Sequence, residues 1–464
     1  MGLKLSQKLS NIFVYFSIVV FAFVLFLYLV FNNFIYIALA LLIAFFISRS
    51  SKIKHFGLLL FLVSFVVRLI FVIVADFPQI YDFETLLEAS KMFAVGDFSF
   101  NQWWHFYTWG YQTGFVIYQG FLLKLFNSVF LLKLLNVIYS SCLVYLVYML
   151  GKRISDEKSA KFVSLLYMIF PFYIFMDIIM ANHHLATLLM YFGILFLIKK
   201  DKSFKDYIFG GILLALGNII RPESIIIILS FLVYEFFLLN KKKIINTIVR
   251  VCALLVVYFS IGFGASFLVI KTGVNPSGLQ NKDPLWKFIL GFNHDSCGYY
   301  DDSDSQYQVN RETEIAIIKE RALSDLPSTG KLMLCKIDRF WLSSGLNFET
   351  GSYYNKEFNI LGFNIKFSVI EDIVMNFNKH IQITGLVLFF IGIFVNRKKL
   401  PNEALFLLIM TMVTFFVFLF IEIQPRYAYF IHVSIFIFMF ILIDLTKCVL
   451  LYSRKTFSYM LSIL

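Results

Sequence analysis

Charged and polar side chains collect at one set of ends of the apolar segments in this 464-residue sequence. Ionisable groups at membrane depth are costly to bury, and those that occur usually serve a function. The residues that share this placement are Arg68, Asp76, Asp82, Glu84, Lys133, Asn136, Asn182, His183, His184, Arg221, Glu223, Glu422, Gln424, Arg426 and Tyr427. Carboxylates and guanidinium groups at one membrane level can move protons and bind phosphate. The apolar segments must bring them to that level.

Asp82 and Glu84 are a carboxylate pair that permits two interpretations. Such a pair at the start of a loop can act as a general base on a hydroxyl group or can hold a divalent cation. Alternatively, Asp82 caps a helix that begins at Phe83. The two roles are compatible. A divalent metal ion therefore stays open as a cofactor, although the sequence has no CxxC or His-rich metal spacing.

Two short turns combine arginine with proline, at Arg221-Pro222-Glu223 and at Gln424-Pro425-Arg426-Tyr427. Proline suits a tight turn, and the guanidinium fork matches the geometry of a phosphate group. The simpler interpretation is an Arg–Glu pair in each turn, with Glu422 as the partner of Arg426. A ligand that carries a phosphate explains both turns together.

The remaining candidates also have plain structural interpretations. His183 and His184 can bind a metal or a phosphate or transfer a proton, but hydrogen-bonded histidines at a helix end are the favoured interpretation. Arg68 could extend toward lipid headgroups from within the membrane. The run from Asp301 to Asp304 lacks the ordered spacing of an EF-hand loop and predicts a solvated loop.

Composition identifies the class of protein. Hydrophobic residues make up 59% of the sequence and charged residues 15%, whereas a typical soluble domain has about 25% charged residues. The net charge is +12, but the Lys and Arg residues lie in short loops between apolar runs. This is the charge pattern of cytoplasmic loops in membrane proteins, and it argues against nucleic-acid binding.

The apolar runs predict about twelve transmembrane helices, since a span needs about twenty residues. We place them near residues 11–30, 34–48, 57–75, 131–150, 161–178, 185–198, 207–220, 224–239, 247–270, 381–396, 404–421 and 428–446. With both termini in the cytoplasm, the loops rich in Lys and Arg all lie inside and the short outer turns hold almost no cations. The N-terminal run is interpreted as an uncleaved anchor.

This topology requires residues 113–126 to be a helix in the outer interface, because the run is short and contains Gln119 and Lys124. Two large extracytoplasmic loops follow, at 76–130 and 271–380. The first predicts a helix at 83–95 and holds a group of interfacial aromatic residues. The second predicts helices at 311–324 and 329–343, and its Cys297 and Cys335 could form a disulfide.

The chain therefore divides into four parts. Residues 1–56 form an N-terminal hairpin, residues 57–270 form the membrane core with the first loop, residues 271–380 form the large loop, and residues 381–464 form the last helices and a cytoplasmic tail. The predicted class is an all-α polytopic membrane protein, most consistent with a bacterial plasma membrane and an extracytoplasmic site.

With these residues in place, the sequence resembles the GT-C superfamily of membrane glycosyltransferases, nearest to the protein-mannosyltransferase-like family (glycosyltransferase family 39). The resemblance covers roughly residues 57–446. The segments that carry it are Arg68, Asp82-Phe-Glu84, Tyr118–Phe126, Lys133-Leu-Leu-Asn136, Ala181-Asn-His-His184, Gly217-Asn-Ile-Ile-Arg-Pro222, Gly291-Phe-Asn293, Gly298-Tyr-Tyr300 and Glu422-Ile-Gln-Pro-Arg-Tyr427.

The resemblance implies a GT-C-type fold and an inverting transfer of a sugar from a polyprenyl-phosphate donor. It implies Asp82 as the catalytic carboxylate, Glu84 as its partner, and Arg221 and Arg426 as the residues that hold the donor phosphate. Arg68, Lys133, His183, His184, Glu223, Glu422 and Tyr427 are the further residues expected to bind substrate. Membrane lipid and an acceptor outside the cytoplasm, either a cell-wall glycopolymer, a lipid-linked glycan or a protein, are the expected partners.

Two other classes of function stay open. A polymerase or ligase of lipid-linked polysaccharide also has many spans and a large outer loop with arginines, but it does not need a carboxylate at the start of the first loop. A transporter or flippase predicts matching halves and a polar path through the membrane, and the sequence has neither.

Overall fold

A computed structural model describes residues 9–20, 48, 53–75, 78–238, 244–342, 357–360, 363–396 and 400–438. The described chain is mostly helical. The predicted span at 34–48 (except Ser48), the second half of the span at 11–30, Asp76, and the tail after residue 438 lie outside these residues.

The described helices are numbered here in chain order. They are α1 (Leu9–Val20), α2 (Phe56–Val74), α3 (Asp82–Ala94), α4 (Trp104–Thr108), α5 (Thr113–Phe126), α6 (Val129–Ile154), α7 (Glu157–Met168), α8 (Pro171–Met176), α9 (His183–Leu197), α10 (Phe204–Ile220), α11 (Ser224–Phe237), α12 (Ile244–Lys271), α13 (Trp286–Gly291), α14 (Arg311–Leu323), α15 (Leu326–Ile337), α16 (Phe367–Asn396), α17 (Asn402–Phe420) and α18 (Tyr429–Phe438).

Five described helices are long and apolar enough to cross a membrane, and they are α2, α6, α12, α16 and α17. The helices α1, α9 and α11 are apolar but shorter. Helices lie at most of the predicted spans, with ends shifted by a few residues. The chain is therefore an integral membrane protein, while the number of spans and their topology stay predictions.

The predicted span at 161–178 is not one helix. It divides into α7 and α8, and Pro171 begins the second of them. Proline lacks the backbone N–H that a continuous helix needs and its ring crowds the preceding turn, so it starts a new helix instead. The chain after α8 is then free to turn, which places Asp177 in the interior.

The predicted span at 381–396 is the second half of a longer helix. Helix α16 begins at Phe367 rather than near residue 381. The apolar pattern missed its first half because polar residues such as Glu371 and His380 interrupt that pattern. A two-stranded antiparallel hairpin, Glu357–Ile360 with Phe363–Lys366, precedes this helix and was not predicted.

The helices predicted within both loops are confirmed. Helices α3, α5 and α14 match the predictions at 83–95, 113–126 and 311–324 within one or two residues, and α15 begins three residues before the predicted 329. The acidic run is a correction: Asp304 is buried, pairs with Arg321 at 2.6 Å and accepts a hydrogen bond from Asn293 at 2.8 Å. Cys297 and Cys335 form a disulfide, with 5.9 Å between their Cα atoms.

Glycines let neighbouring helices approach closely at two places. A Cβ atom on Gly193 in α9 would lie 3.2 Å from the Gly210 carbonyl oxygen in α10. Gly114, at the start of α5, packs on the Ile219 carbonyl at the end of α10. Small residues at such interfaces bring backbones together and increase packing contacts. The first loop is thereby held beside Arg221.

A buried ion pair joins the membrane core. Arg68 in α2 donates from Nη1 to Asp177 Oδ2 at 2.7 Å, and both side chains are almost inaccessible. Arg68 Nε also donates to Ser64 at 3.1 Å, and Ser140 in α6 donates to Asp177. Three segments of the chain therefore meet at one charge pair, and the pair accounts for Arg68 without any contact to lipid headgroups.

Loss of one partner should leave the other charge buried. We expect Arg68→Met to lower the free energy of unfolding by about 3–5 kcal/mol, as for other buried ion pairs that lose one member. The double variant Arg68→Met/Asp177→Leu should recover part of that loss. Thermal unfolding of purified protein in detergent measures both, with Ser64→Ala as a mild control. A single variant as stable as wild type would contradict this account.

Candidate active site

A cavity of about 260 Å³ lies where the polar ends of the helices meet the two loops. It is bounded by the start of α3, by α4, by the turns before α9 and α11, by α13, and by the segment between α17 and α18. The side chains that line it are Tyr81, Asp82, Phe83, Leu86, Trp104, His105, Trp109, Tyr111, Gln112, Asn182, His183, Arg221, Lys287, Tyr299, Tyr300, Glu422, Gln424, Arg426 and Tyr427.

Asp82 faces this cavity and is not a helix cap. It is the first residue of α3, the preceding Tyr81 occupies the cap position, and no side chain caps the helix. The Asp82 carboxylate instead pairs with Arg426, with 2.7 Å between Oδ2 and Nη2. The capping interpretation of Asp82 is therefore wrong. About a third of the Asp82 side chain is exposed (38%), so the carboxylate can also contact a ligand.

The charges around Asp82 keep it ionised. Burial alone would raise the pKa of this carboxyl, but Arg426, with smaller contributions from His105 and Lys287, holds the pKa below its usual value. The aromatic ring of Phe83 also lies 4.8 Å from the Arg426 guanidinium carbon, so the cation is held from two sides. An ionised carboxylate can accept a proton at neutral pH.

His105, in α4, lies next to Asp82, with 3.9 Å between Nδ1 and Oδ1. Burial lowers the pKa of His105, Asp82 opposes this, and Arg426 and Lys287 add to it, so the ring is neutral at pH 7. The Gln112 amide nitrogen lies 3.0 Å from His105 Nε2. Since that amide nitrogen can only donate, Nε2 accepts and the ring proton lies on Nδ1, toward Asp82.

Arg221 is held by three neighbours at the end of α10. Its Nε pairs with Glu223, as predicted, and its Nη1 donates to Asn182 Oδ1 at 2.9 Å. The Tyr427 ring lies 5.0 Å from the guanidinium carbon. Glu223 is buried and does not line the cavity, so its part is to orient Arg221.

Glu422 pairs with Lys287 of α13, and the predicted partnership between Glu422 and Arg426 is wrong. Burial alone would lower the pKa of Lys287, but Glu422 and the neighbouring tyrosines raise it, so the lysine stays charged. The large loop thus supplies the cation for Glu422, while Arg426 pairs with Asp82. The Lys287 ammonium also lies 5.2 Å from the Trp109 ring.

The two histidines that begin α9 differ. His184 points into the core, where Ser140, Tyr429 and the Met176 carbonyl oxygen are within 3.1 Å of its ring nitrogens, which agrees with the structural interpretation. His183 lines the cavity, and neither of its ring nitrogens has a hydrogen-bond partner within the described part of the chain. A buried imidazole without partners can donate to or accept from a ligand.

Three other predicted site residues lie away from the cavity. Arg68 is paired with Asp177 in the core. Glu84 is exposed on the outer side of α3 and lines none of the described cavities, which separates it from Asp82. Lys133 lies in a different groove, beside Val72 and Ile73. Sequence proximity placed Glu84 with Asp82, but each residue of a helix turns the side chain by about 100°, so residues two positions apart point to nearly opposite sides.

His105, Gln112 and Lys287 are cavity residues that the sequence did not indicate. His105 and Gln112 lie among the aromatic residues of the first loop, and that group resembles an interfacial anchor. Lys287 lies on a six-residue helix in the large loop, where a single cation has no periodic signal. His105 is the single histidine among the tryptophans of this stretch, and that signal could have identified it.

The cavity residues do not fit a divalent metal ion. No group of three or more His, Cys, Asp or Glu side chains converges within the described residues. Asp82 is bound by a guanidinium group and Glu422 by an ammonium group, so each carboxylate already has a cation beside it. A divalent cation would have to displace these partners, and hard cations need several free oxygen ligands.

Residues 114–262 match the family model described as dolichyl-phosphate-mannose-protein mannosyltransferase. The chain resembles this family. The resemblance predicted from the sequence is thus confirmed for this segment, which contains His183 and Arg221 but neither Asp82 nor Arg426. No curated protein sequence matches the chain.

Among solved structures, the chain is similar to the archaeal oligosaccharyltransferase AglB from Archaeoglobus fulgidus, in complex with an inhibitory peptide and a dolichol-phosphate. The two sequences are 14% identical and the TM-score is 0.49. The match covers 87% of this chain and 52% of that chain, so this chain spans about half the length of that structure.

Proposed function

We propose that the protein is an inverting glycosyltransferase of the GT-C type, which moves a sugar from a polyprenyl-phosphate donor to an acceptor outside the cytoplasm. The observation that carries this proposal is one cavity that holds an accessible ionised carboxylate, Asp82, together with Arg221, Arg426 and His183, whose ring nitrogens bind no other described residue. The family match over residues 114–262 supports the same class of chemistry.

The donor phosphate is expected between the two arginines. Arg221 and Arg426 approach the cavity from opposite ends of the chain, and a guanidinium group binds phosphate oxygens through paired N–H donors. His183 can donate a further hydrogen bond, because its buried ring nitrogens have no hydrogen-bond partner among the described residues. The three donors would stabilise the negative charge that collects on the leaving phosphate.

Asp82 is the proposed base. In the reaction, the acceptor hydroxyl oxygen bonds to the anomeric carbon as the bond from that carbon to the phosphate oxygen breaks. The hydroxyl proton goes to Asp82, and the electron pair of the broken bond leaves with the polyprenyl phosphate. Attack from the side opposite the phosphate inverts the anomeric carbon. His105 lies on the other side of Asp82, with 3.9 Å between Nδ1 and Oδ1.

The lipid chain of the donor has a groove beside the cavity. This groove, of about 300 Å³, lies between α10, α11 and α12 and shares Tyr111 with the cavity. Its outer wall includes the exposed rings of Phe259 and Phe263. Gly262 faces the groove, and a Cβ atom there would meet nothing within 4 Å. An apolar groove that opens beside the phosphate site suits an isoprenoid chain.

The remaining assignments complete the proposal. The twelve-span topology with cytoplasmic termini, the four-part division of the chain and a bacterial plasma membrane are retained as predictions. Nucleotide sugars stay in the cytosol, so a transferase at the outer face must use a donor carried by lipid. The acceptor is a cell-wall glycopolymer, a lipid-linked glycan or a protein.

Asp82→Asn tests the chemistry. The amide keeps the size of the side chain but cannot accept the proton, so we expect transfer to fall by roughly 10²–10⁴-fold at equal protein level. The measurement is mass spectrometry of envelope glycans in cells that lack the protein, complemented with each variant. Glu84→Gln is the matched control and should restore the glycan. Full restoration by Asp82→Asn would favour the polymerase or transport functions instead.

The pH profile tests the ion pair. Without Arg426, burial dominates and the pKa of Asp82 rises, so the base becomes protonated at a higher pH. With the sugar found above, we expect the acidic limb of kcat/KM to move upward by about one pH unit or more in Arg426→Gln. Arg221→Gln weakens donor binding but should leave that limb in place. Identical limbs in wild type and Arg426→Gln would refute the assignment.

Gly262→Trp tests the lipid groove. The indole should fill the groove and exclude the isoprenoid chain, so we expect the transferred sugar to fall by about tenfold or more, which corresponds to 1.4 kcal/mol or more of donor binding. Gly264→Trp is the control, because Gly264 also has open space around it but does not line the groove. Equal activity of the two variants would place the lipid chain elsewhere.

A further inference from the structure

One wall of the cavity is a segment without helical structure of its own. Residues 421–424 lie between α17 and the short 3₁₀ helix Pro425–Ala428, and they carry Glu422 and Gln424 to the cavity. Their backbone is held by the large loop. Glu422 donates its N–H to the Lys287 carbonyl oxygen at 2.7 Å, and Ile423 donates to the Gly298 carbonyl oxygen at 2.9 Å.

Lys336 binds the end of α17, next to this segment. It is a residue of α15 and is 1% exposed. Its ammonium group donates to three backbone carbonyl oxygens, at 2.9 Å to Gly291, 2.8 Å to Leu419 and 2.8 Å to Ile421. The last carbonyls of a helix have no partners within the helix, and a cation there is also favoured by the helix dipole.

Burying the Lys336 ammonium group carries a desolvation cost. Burial lowers the pKa of Lys336 to about 7, although Glu422 opposes the shift. A buried methionine would fill similar space without removing a charge from water. The lysine instead fixes two separate segments relative to each other, because its one nitrogen binds three carbonyl oxygens from both of them.

A disulfide locks the lysine in place. Cys335 precedes Lys336 and is bonded to Cys297, which adjoins Gly298. Gly298 has a φ of +77°, and a Cβ atom there would lie 2.9 Å from Lys336 Cε. Only glycine therefore suits this position. The disulfide joins α15 to the same stretch of loop whose carbonyl oxygen holds Ile423.

We propose that Lys336, locked by the Cys297–Cys335 disulfide, is a positioning residue for the cavity wall from Glu422 to Tyr427. Through this wall it sets the place of Arg426 and hence the affinity for the donor phosphate. The effect on affinity rests on the proposed function, whereas the effect on the wall does not. Two measurements on the full-length protein in lipid nanodiscs separate them.

The first measurement is hydrogen exchange of the backbone amides at 421–424. In Lys336→Met we expect exchange about tenfold faster than in wild type, since the carbonyl anchors of the segment are lost. Lys331→Met is the matched control, because Lys331 lies on the exposed side of the same helix, and it should exchange as wild type does. Unchanged exchange in Lys336→Met would overturn the proposal whether or not the protein transfers sugar.

The second measurement is the binding of farnesyl phosphate, a short isoprenoid monophosphate. Lys336→Met should raise its Kd by about tenfold with unchanged stoichiometry, because a displaced Arg426 weakens the phosphate contact. A purely structural role would lower the fraction of folded protein and leave Kd unchanged, and that result would overturn the proposal. If wild type does not bind the probe, the donor assignment fails, and the exchange result still decides the role of Lys336.

The disulfide is tested by Cys297→Ser/Cys335→Ser. This variant keeps Lys336 but releases α15 from the loop, so exchange at 421–424 should rise in the same direction as in Lys336→Met. In the triple variant the two effects should not add, because both act on one unit. Additive effects, or wild-type exchange without the disulfide, would show that the disulfide has no part in positioning the wall.

Discussion

The ion pair between Asp82 and Arg426 is the contact on which the cavity depends. It joins residues 344 positions apart, one at the start of the first loop and one just before the last described helix. The pair does two things at once: it keeps the carboxylate ionised in a partly buried place, and it orients a guanidinium group beside the cavity. The other charged contacts, Lys287 with Glu422 and Arg221 with Glu223, repeat the pattern of one carboxylate for each cation.

The pairing of each cation with a carboxylate affects which ligands the cavity can bind. Each of the three cations that line it already has a carboxylate partner, so an anion gains less by Coulomb attraction alone than it would beside free cations. The ligand must also supply hydrogen-bond geometry and apolar surface, and the aromatic walls and the adjoining groove provide partners for both. Specificity then arises from hydrogen-bond geometry and apolar contact together, rather than from net charge.

Much of the secondary structure could be predicted from the sequence because apolar periodicity and length act locally. Helices α3, α5 and α14 and most membrane segments followed from these signals. The break at Pro171 and the early start of α16 did not, because each depends on a few single residues rather than on the apolar pattern. The pairing of polar residues could not be predicted. Arg68 has Asp177 as its partner and Glu422 has Lys287, and both choices depend on tertiary distances between distant segments. Glu84 lies away from Asp82 because helical geometry, rather than nearness in sequence, decides which side chains share a cavity.

The placement of Lys336 has a consequence for the order in which the protein is assembled. Cys297 and Cys335 are synthesised before α17, so the large loop can close its disulfide while the lysine still lacks two of its three acceptors. Leu419 and Ile421 follow 83 and 85 residues after the lysine. The loop is then a receptor for the end of α17, and docking of that helix completes both the lysine's coordination and the cavity wall. A chain that stops short of this point leaves Lys336 with one of its three carbonyl acceptors and leaves the cavity wall incomplete.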